Sequence, residues 1–140
     1  MSTQYKQAIT SLYSALSLTM PETDQITSLQ VGEQVVHITE HPEGQLLMFS
    51  DIGLLDNFNH IELLKLNMFS QSLHKPVIGF DTHSNSAIVW SRQTLSLVDS
   101  DEIYQQLEQL IQVSDTAIDS MKQEVSGTTE SSFDANRFRV

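Results

Sequence analysis

The chain has 140 residues, with 18 Asp plus Glu against 7 Lys plus Arg, a formal net charge of −11 and no cysteine. Its length suits one domain, and 39% hydrophobic content can bury a core, but no apolar run approaches the roughly 18 residues that crossing a bilayer needs. Without cysteine there is no disulfide framework, thiolate nucleophile or cysteine zinc site, and so few bases disfavour nucleic acid, whose affinity comes largely from Lys and Arg releasing counterions. A basic or hydrophobic protein partner is the expected class. Met1-Ser2-Thr3-Gln4-Tyr5-Lys6 lacks the basic start and unbroken apolar stretch of a secretory signal, so the protein is expected to stay in the cytoplasm where it is made.

From Thr3 to Leu18, the residues Tyr5, Ala8, Ile9, Leu12, Tyr13, Ala15 and Leu16 recur at helical spacing and predict an amphipathic helix. Pro21, Thr23 and Asp24 interrupt it. Ile26 to Val31 reads as a short strand ended by Gly32. Gln34 to Glu40, rich in β-branched residues, and Gln45 to Ser50 form a hairpin around His41-Pro42-Glu43-Gly44. Asp51 to Asn59, with Gly53 and acidic residues among Ile52, Leu54, Leu55 and Phe58, reads as a loop that packs down.

A second helix is predicted from about Asn59 to Ser72, with Asn59 as N-cap and Glu62 three residues later, stopped by Lys75-Pro76. Ile61, Leu64, Met68 and Phe69 share a face, while Leu63 and Leu66 widen the apolar arc, which suits a helix meeting two surfaces. Val77 to Asp81 and Ala87 to Ser91 flank the turn residues Thr82-His83-Ser84-Asn85-Ser86 and predict a second hairpin, with Thr94 to Val98 continuing or leaving it. Asp99 or Ser100 then caps a long helix whose stripe is Ile103, Leu107, Leu110, Ile111, Ser114, Ile118 and Met121. After Glu124 the pattern ends, so residues 1–124 are read as the domain and 125–140 as a polar, flexible tail. The tail is neutral, so the whole −11 belongs to the domain.

No catalytic constellation emerges. His37 and His41 lie four apart on a strand running into a turn, roughly 13 Å at ~3.3 Å per residue, too far to share one metal. His60, His74 and His83 sit at element ends, where surface or capping roles are the ordinary reading. The five glycines are isolated, and neither a Gly-x-Ser-x-Gly elbow nor a His-Glu-x-x-His helix occurs. Asp99, Asp101 and Glu102 read as a helix cap rather than a cation site. No enzyme, cofactor or metal is therefore expected. Ile88-Val89-Trp90 and Leu46-Leu47-Met48-Phe49 place bulky residues on both faces of their strands, which marks either strands buried on both sides or an interface.

The order helix, three strands, helix, two strands, long helix resembles the class I chaperones of bacterial type III secretion systems. The resemblance rests on Leu63-Leu64-Lys65-Leu66-Asn67-Met68-Phe69, Pro76-Val77-Ile78-Gly79-Phe80-Asp81, Ala87-Ile88-Val89-Trp90 and Thr94-Leu95-Ser96-Leu97, and spans about residues 3 to 123. It implies an α+β fold, a twisted antiparallel sheet with helices packed on it, in a homodimer that does no chemistry and uses no nucleotide. The implied partner is an extended N-terminal segment of one or more secreted effectors, with the export ATPase of the secretion system as a further candidate. The dimer interface implied is Leu63, Leu64, Leu66, Asn67, Met68, Phe69, Val89 and Trp90. The effector-binding residues implied are Tyr5, Ile9, Leu12, Tyr13 and Leu16 on the first helix, with Val36, Ile38, Leu47 and Phe49 on strands. The competing class is an acidic immunity or antitoxin-like protein that blocks a basic toxin; a small hydrolase would require the histidines to converge.

Overall fold

A computed structural model describes residues 2–19, 26–69, 74–97 and 99–120. Helix α1 covers Thr3–Ala15, and Ser2 caps it, its Oγ accepting the Tyr5 N–H. It stops earlier than its apolar pattern does. Ser17 turns left-handed at φ 58°, the Leu18 N–H reaches the Tyr13 carbonyl and the Ser17 N–H reaches Ser14, which is a Schellman closure with serine in the place usually held by glycine. Residues 16–18, expected as helix, are therefore its cap.

Three antiparallel strands follow, β1 (Ile26–Val31), β2 (Gln34–Glu40) and β3 (Gln45–Leu54). Strand β3 runs four residues beyond the expected Ser50, through what reads as loop in the sequence. Asp51 and Gly53 do not end it because they form a bulge: Gly53 takes φ 123°, its N–H bonds to Asp51 Oδ1, and the register against the neighbouring strand shifts between these two residues. A 3-10 turn, Leu55–Asn57, leads to helix α2, His60–Leu66, where Asn59 Oδ1 accepts the N–H groups of Ile61 and Glu62. The helix is shorter than expected, ending at Leu66, and its expected last residues, 70–72, lie outside the described residues.

Strands β4 (Val77–Asp81) and β5 (Ser86–Thr94) complete a five-stranded sheet in the order β1-β2-β3-β5-β4, antiparallel throughout. Asp99 caps helix α3, Ser100–Asp119, by accepting the Glu102 N–H. Met121 and the tail at 125–140 lie outside the described residues.

Strand alternation divides the sheet into two unlike faces. Val36, Ile38, Leu46, Met48, Ile52, Ile78, Ala87 and Val89 point to the helices and are buried with Tyr5, Ile9 and Leu12 of α1 and Ile103, Leu107, Leu110 and Ala117 of α3. The Tyr5 hydroxyl fixes α1 over β2 by donating to the Ile38 carbonyl, and burial raises its pKa. Helix α3 is fixed by Gln106, fully buried, whose amide nitrogen serves the carbonyls of Leu46 and Ser91 and the Ser91 hydroxyl while its oxygen accepts from Gln93. Among the described residues, the other face of the sheet carries no helix.

Candidate interaction surfaces

With the core assigned, three surfaces remain. The first is a groove between the end of α1, the end of β1 and the middle of α3. Leu16, Val31, Leu107 and Ile111 form its floor, Tyr104, Glu108 and Gln112 its helical wall, and it encloses about 320 Å³. That volume sits at the low end for ligand pockets and matches a few large side chains better than a cofactor. β1 is the outermost strand beside it, and among the described residues no strand pairs with its outer edge.

The second surface joins α2 to β4. Ile61 and Leu64 of α2 are exposed, as are Met68 and Phe69 just past its end, Phe69 at 88%, and Phe80 of β4. A hollow of about 240 Å³ lies between them, lined by Leu55, His60, Leu63, Leu64, Asn67, Ile78, Gly79 and Phe80. Exposed apolar side chains in this number make the α2 and β4 side of the fold a candidate interface. Asn67 holds the arrangement: its Oδ1 accepts the Ile78 N–H at 2.7 Å and its Nδ2 donates to the Ile78 carbonyl at 3.0 Å. The amide takes up both backbone groups of Ile78, so the β4 edge is closed to strand pairing at that residue. Lys75 Nζ donates to the Leu66 carbonyl and closes the end of α2.

The third surface is the uncovered sheet face. Register places Ser28, His37, Phe49, Trp90 and Val77 in one row across all five strands. The His37 and Phe49 rings are 5.1 Å apart, Ser28 Oγ and His37 Nδ1 share a hydrogen bond of 2.9 Å, and the Arg92 guanidinium lies 5.1 Å from the Trp90 ring centroid. His41, expected to sit apart from His37, lies in the β2–β3 turn, where its carbonyl accepts from Arg92 Nε.

This geometry redistributes the residues expected from the sequence. Tyr5, Ile9, Leu12, Tyr13, Val36 and Ile38 are core residues, buried between the helices and the sheet, and cannot meet a partner while the domain is folded. Leu16 lines the groove, whereas Leu47 and Phe49 are half-buried on the uncovered face. Of the expected dimer residues, Leu64, Met68 and Phe69 are exposed on the second surface. Leu63 and Val89 are buried, Leu66 is half-buried against the core, Asn67 is committed to Ile78, and Trp90 belongs to the uncovered face. The redistribution has one cause: the sequence reveals apolar faces but not which one faces inward. Val31, Tyr104, Leu107 and Ile111 were missed as a surface, although Tyr104, Leu107 and Ile111 follow the i, i+3, i+7 spacing of a second stripe beside the core stripe.

Among the described residues, no three His, Cys, Asp or Glu side chains come together and no helix is long and apolar enough to cross a membrane.

The Tir chaperone protein (CesT) family matches residues 7–117, which include every core residue but Tyr5 and both apolar grooves. The chain belongs to this family. Within the family, it is 44% identical over 110 residues to a YopE regulator of Yersinia enterocolitica serotype O:8 / biotype 1B, covering 77% of this chain and 84% of that protein. A chain in the structure of an ExoT-SpcS complex from Pseudomonas aeruginosa superposes with a TM-score of 0.76 at 37% identity, covering 84% of this chain and 99% of that one. The Yersinia pestis type III secretion chaperone SycH, solved with a fragment of YscM2, shares the fold, with a TM-score of 0.69, 20% identity and coverage of 81% and 98%.

Proposed function

We propose that the protein is a bacterial type III secretion chaperone, acting in the cytoplasm as a homodimer. It binds an extended N-terminal segment of one or more secreted effectors and keeps that segment ready for export, without nucleotide hydrolysis or other chemistry. Membership of the CesT family carries the reading. The relatives add to it: one is a YopE regulator and another chain comes from an ExoT-SpcS complex.

The geometry supports a division of labour. The exposed side chains Leu64 of α2, Met68 and Phe69 just past its end and Phe80 of β4 are the proposed dimer contact. The groove of Leu16, Val31, Tyr104, Leu107 and Ile111, with the outer edge of β1 beside it, receives the effector. An unfolded segment would gain backbone hydrogen bonds along β1 and insert side chains into the groove, each contributing roughly 1.5 to 3 kcal/mol if fully buried. Ordering the segment costs about 2 to 5 kcal/mol, so several anchors are required for tight binding.

Two substitutions separate the roles. Leu64→Asp should halve the mass measured by light scattering, whereas Ile111→Asp should leave a dimer that no longer co-purifies with the effector segment mapped on the native protein. An unchanged mass for Leu64→Asp rejects the dimer contact. Retained effector with Ile111→Asp rejects the groove, and a mapped segment that is a folded domain rejects the chaperone reading itself.

A further inference from the structure

The charged groups at the groove between α1, β1 and α3 are all acids. Helix α3 carries Asp101, Glu102, Glu108, Asp115 and Asp119 and no Lys or Arg, and no Lys or Arg lines the groove. Tyr104, Glu108, Ile111 and Asp115 follow at i, i+4, i+7 and i+11, which sets them along one stripe of the helix. Two carboxylates therefore bracket Ile111, about 10 Å apart at ~1.5 Å per residue. Glu108 is exposed on the groove wall and has no ion pair among the described residues, where Lys65 and Glu62 form the one salt bridge. Acceptors continue at the Val31 end. Gln34 is paired with Val31 in the β1–β2 register, and its Nε2 donates to Asp115 Oδ1, while its buried Oε1 has no partner among the described residues. An unpaired carboxylate and an unpaired buried acceptor beside an apolar floor both favour an occupant that brings donors.

We propose that the groove selects extended polypeptide segments in which a Lys or Arg lies next to the apolar anchors, with Glu108 as the residue that reads this charge. The inference rests on the reading of the groove as the effector seat and adds the chemistry of what that seat accepts. In a strand laid along β1, alternate side chains turn toward the groove and those between them turn away. A Lys or Arg at an intervening position has a stem long enough to follow the wall at Tyr104 while its charge reaches the exposed carboxylate of Glu108. Position counts for more than the net charge of −11: at 0.15 M salt the Debye length is about 8 Å, so acids on remote elements contribute little to a cation held at the wall. An acid at the same position of the segment meets Glu108 and Asp115 with like charge, which makes the discrimination two-sided.

A random nonapeptide display library selected on the full chain tests this. Enriched peptides should carry Lys or Arg beside apolar residues. Glu108→Lys should shift the enrichment to Asp or Glu at that position, and Glu43→Lys, which makes the same change of net charge on the β2–β3 turn, should leave it as it was. For one enriched peptide, Glu108→Gln should weaken binding about two- to five-fold, the range of an exposed ion pair, and should not alter the affinity for the same peptide with its cation replaced by Gln. Equal shifts from Glu108→Lys and Glu43→Lys, enrichment without a basic position, or no enrichment at all overturns the proposal. Ile111→Asp, together with Tyr104→Ala, which removes only an exposed ring, separates this failure from failure of the seat. Peptides that bind both variants as well as they bind the native chain sit elsewhere and reject the groove as well as the charge reading. Peptides weakened by both variants yet indifferent to Glu108→Lys reject the charge reading alone.

Discussion

Glu40 couples two parts of the chain that are remote in sequence. Its Oε1 accepts the Ser2 N–H and its Oε2 accepts the Gly44 N–H, both at 2.8 Å, so one carboxylate ties the start of α1 to the β2–β3 turn. These two backbone hydrogen bonds, first Ser2 and then Gly44, hold its pKa below the ordinary 4.5. A carboxyl whose folded pKa is lowered contributes stability that is complete above its unfolded value and is lost as pH falls through the folded one. Glu40→Gln should therefore lower the urea midpoint at pH 7 relative to the native chain, and the gap should close as the pH is taken below about 4. The side chain is partly exposed, so the effect is modest. A gap that stays constant with pH would mean that shape rather than charge is what Glu40 supplies. Because the folded state is proposed to be a dimer, both proteins must be compared at one concentration.

At the scale of elements, α2 is the least self-sufficient part of the fold. Seven residues make too short a helix to persist alone, so its position depends on the Asn59 cap, on Leu63 in the core and on the Asn67–Ile78 pair. Asn67→Ala removes both hydrogen bonds to β4 at once. The expected outcome is faster hydrogen exchange at the Ile78 amide and weaker dimerisation, with exchange of the β2 and β3 amides unchanged; protection retained at Ile78 would show that α2 is held by packing alone. The same element shows what the sequence can convey. Its N-cap was legible because Asn59 precedes an apolar run with Glu62 in the right place, but its end was not, since Asn67 reads as one more helical residue until Ile78 is beside it. Strand β3 and the end of α1 failed for the same kind of reason. Gly53 marks a bulge only when β5 is paired with it, and Ser17 closes a helix by a backbone conformation that its side chain does not announce. The order of elements was readable because periodicity is local. The surfaces were not, because apolar residues of α1, its cap and α3 fall into two stripes, and only packing decides that Tyr5, Ile9 and Leu12 go inside while Leu16, Tyr104 and Ile111 line the groove.

For the whole molecule, charge and apolar surface act in opposite directions. Each chain carries −11, and bringing two such bodies together along α2 and β4 places like charges within a distance that low salt does not screen: the Debye length is about 30 Å at 0.01 M and about 8 Å at 0.15 M. The proposed contact is apolar, built from Leu64, Met68, Phe69 and Phe80, and its hydrophobic contribution is not weakened by added salt. Raising ionic strength from about 0.01 to 0.15 M should therefore tighten the dimer several-fold, as measured by sedimentation across a dilution series. Binding by an acidic protein that blocks a basic toxin has the opposite sign, since attraction between unlike charges weakens as salt rises. The sign of the salt dependence thus separates assembly through apolar faces from recognition through charge. A dimer that loosens with salt would place ion pairs, rather than the exposed side chains of α2, at the contact.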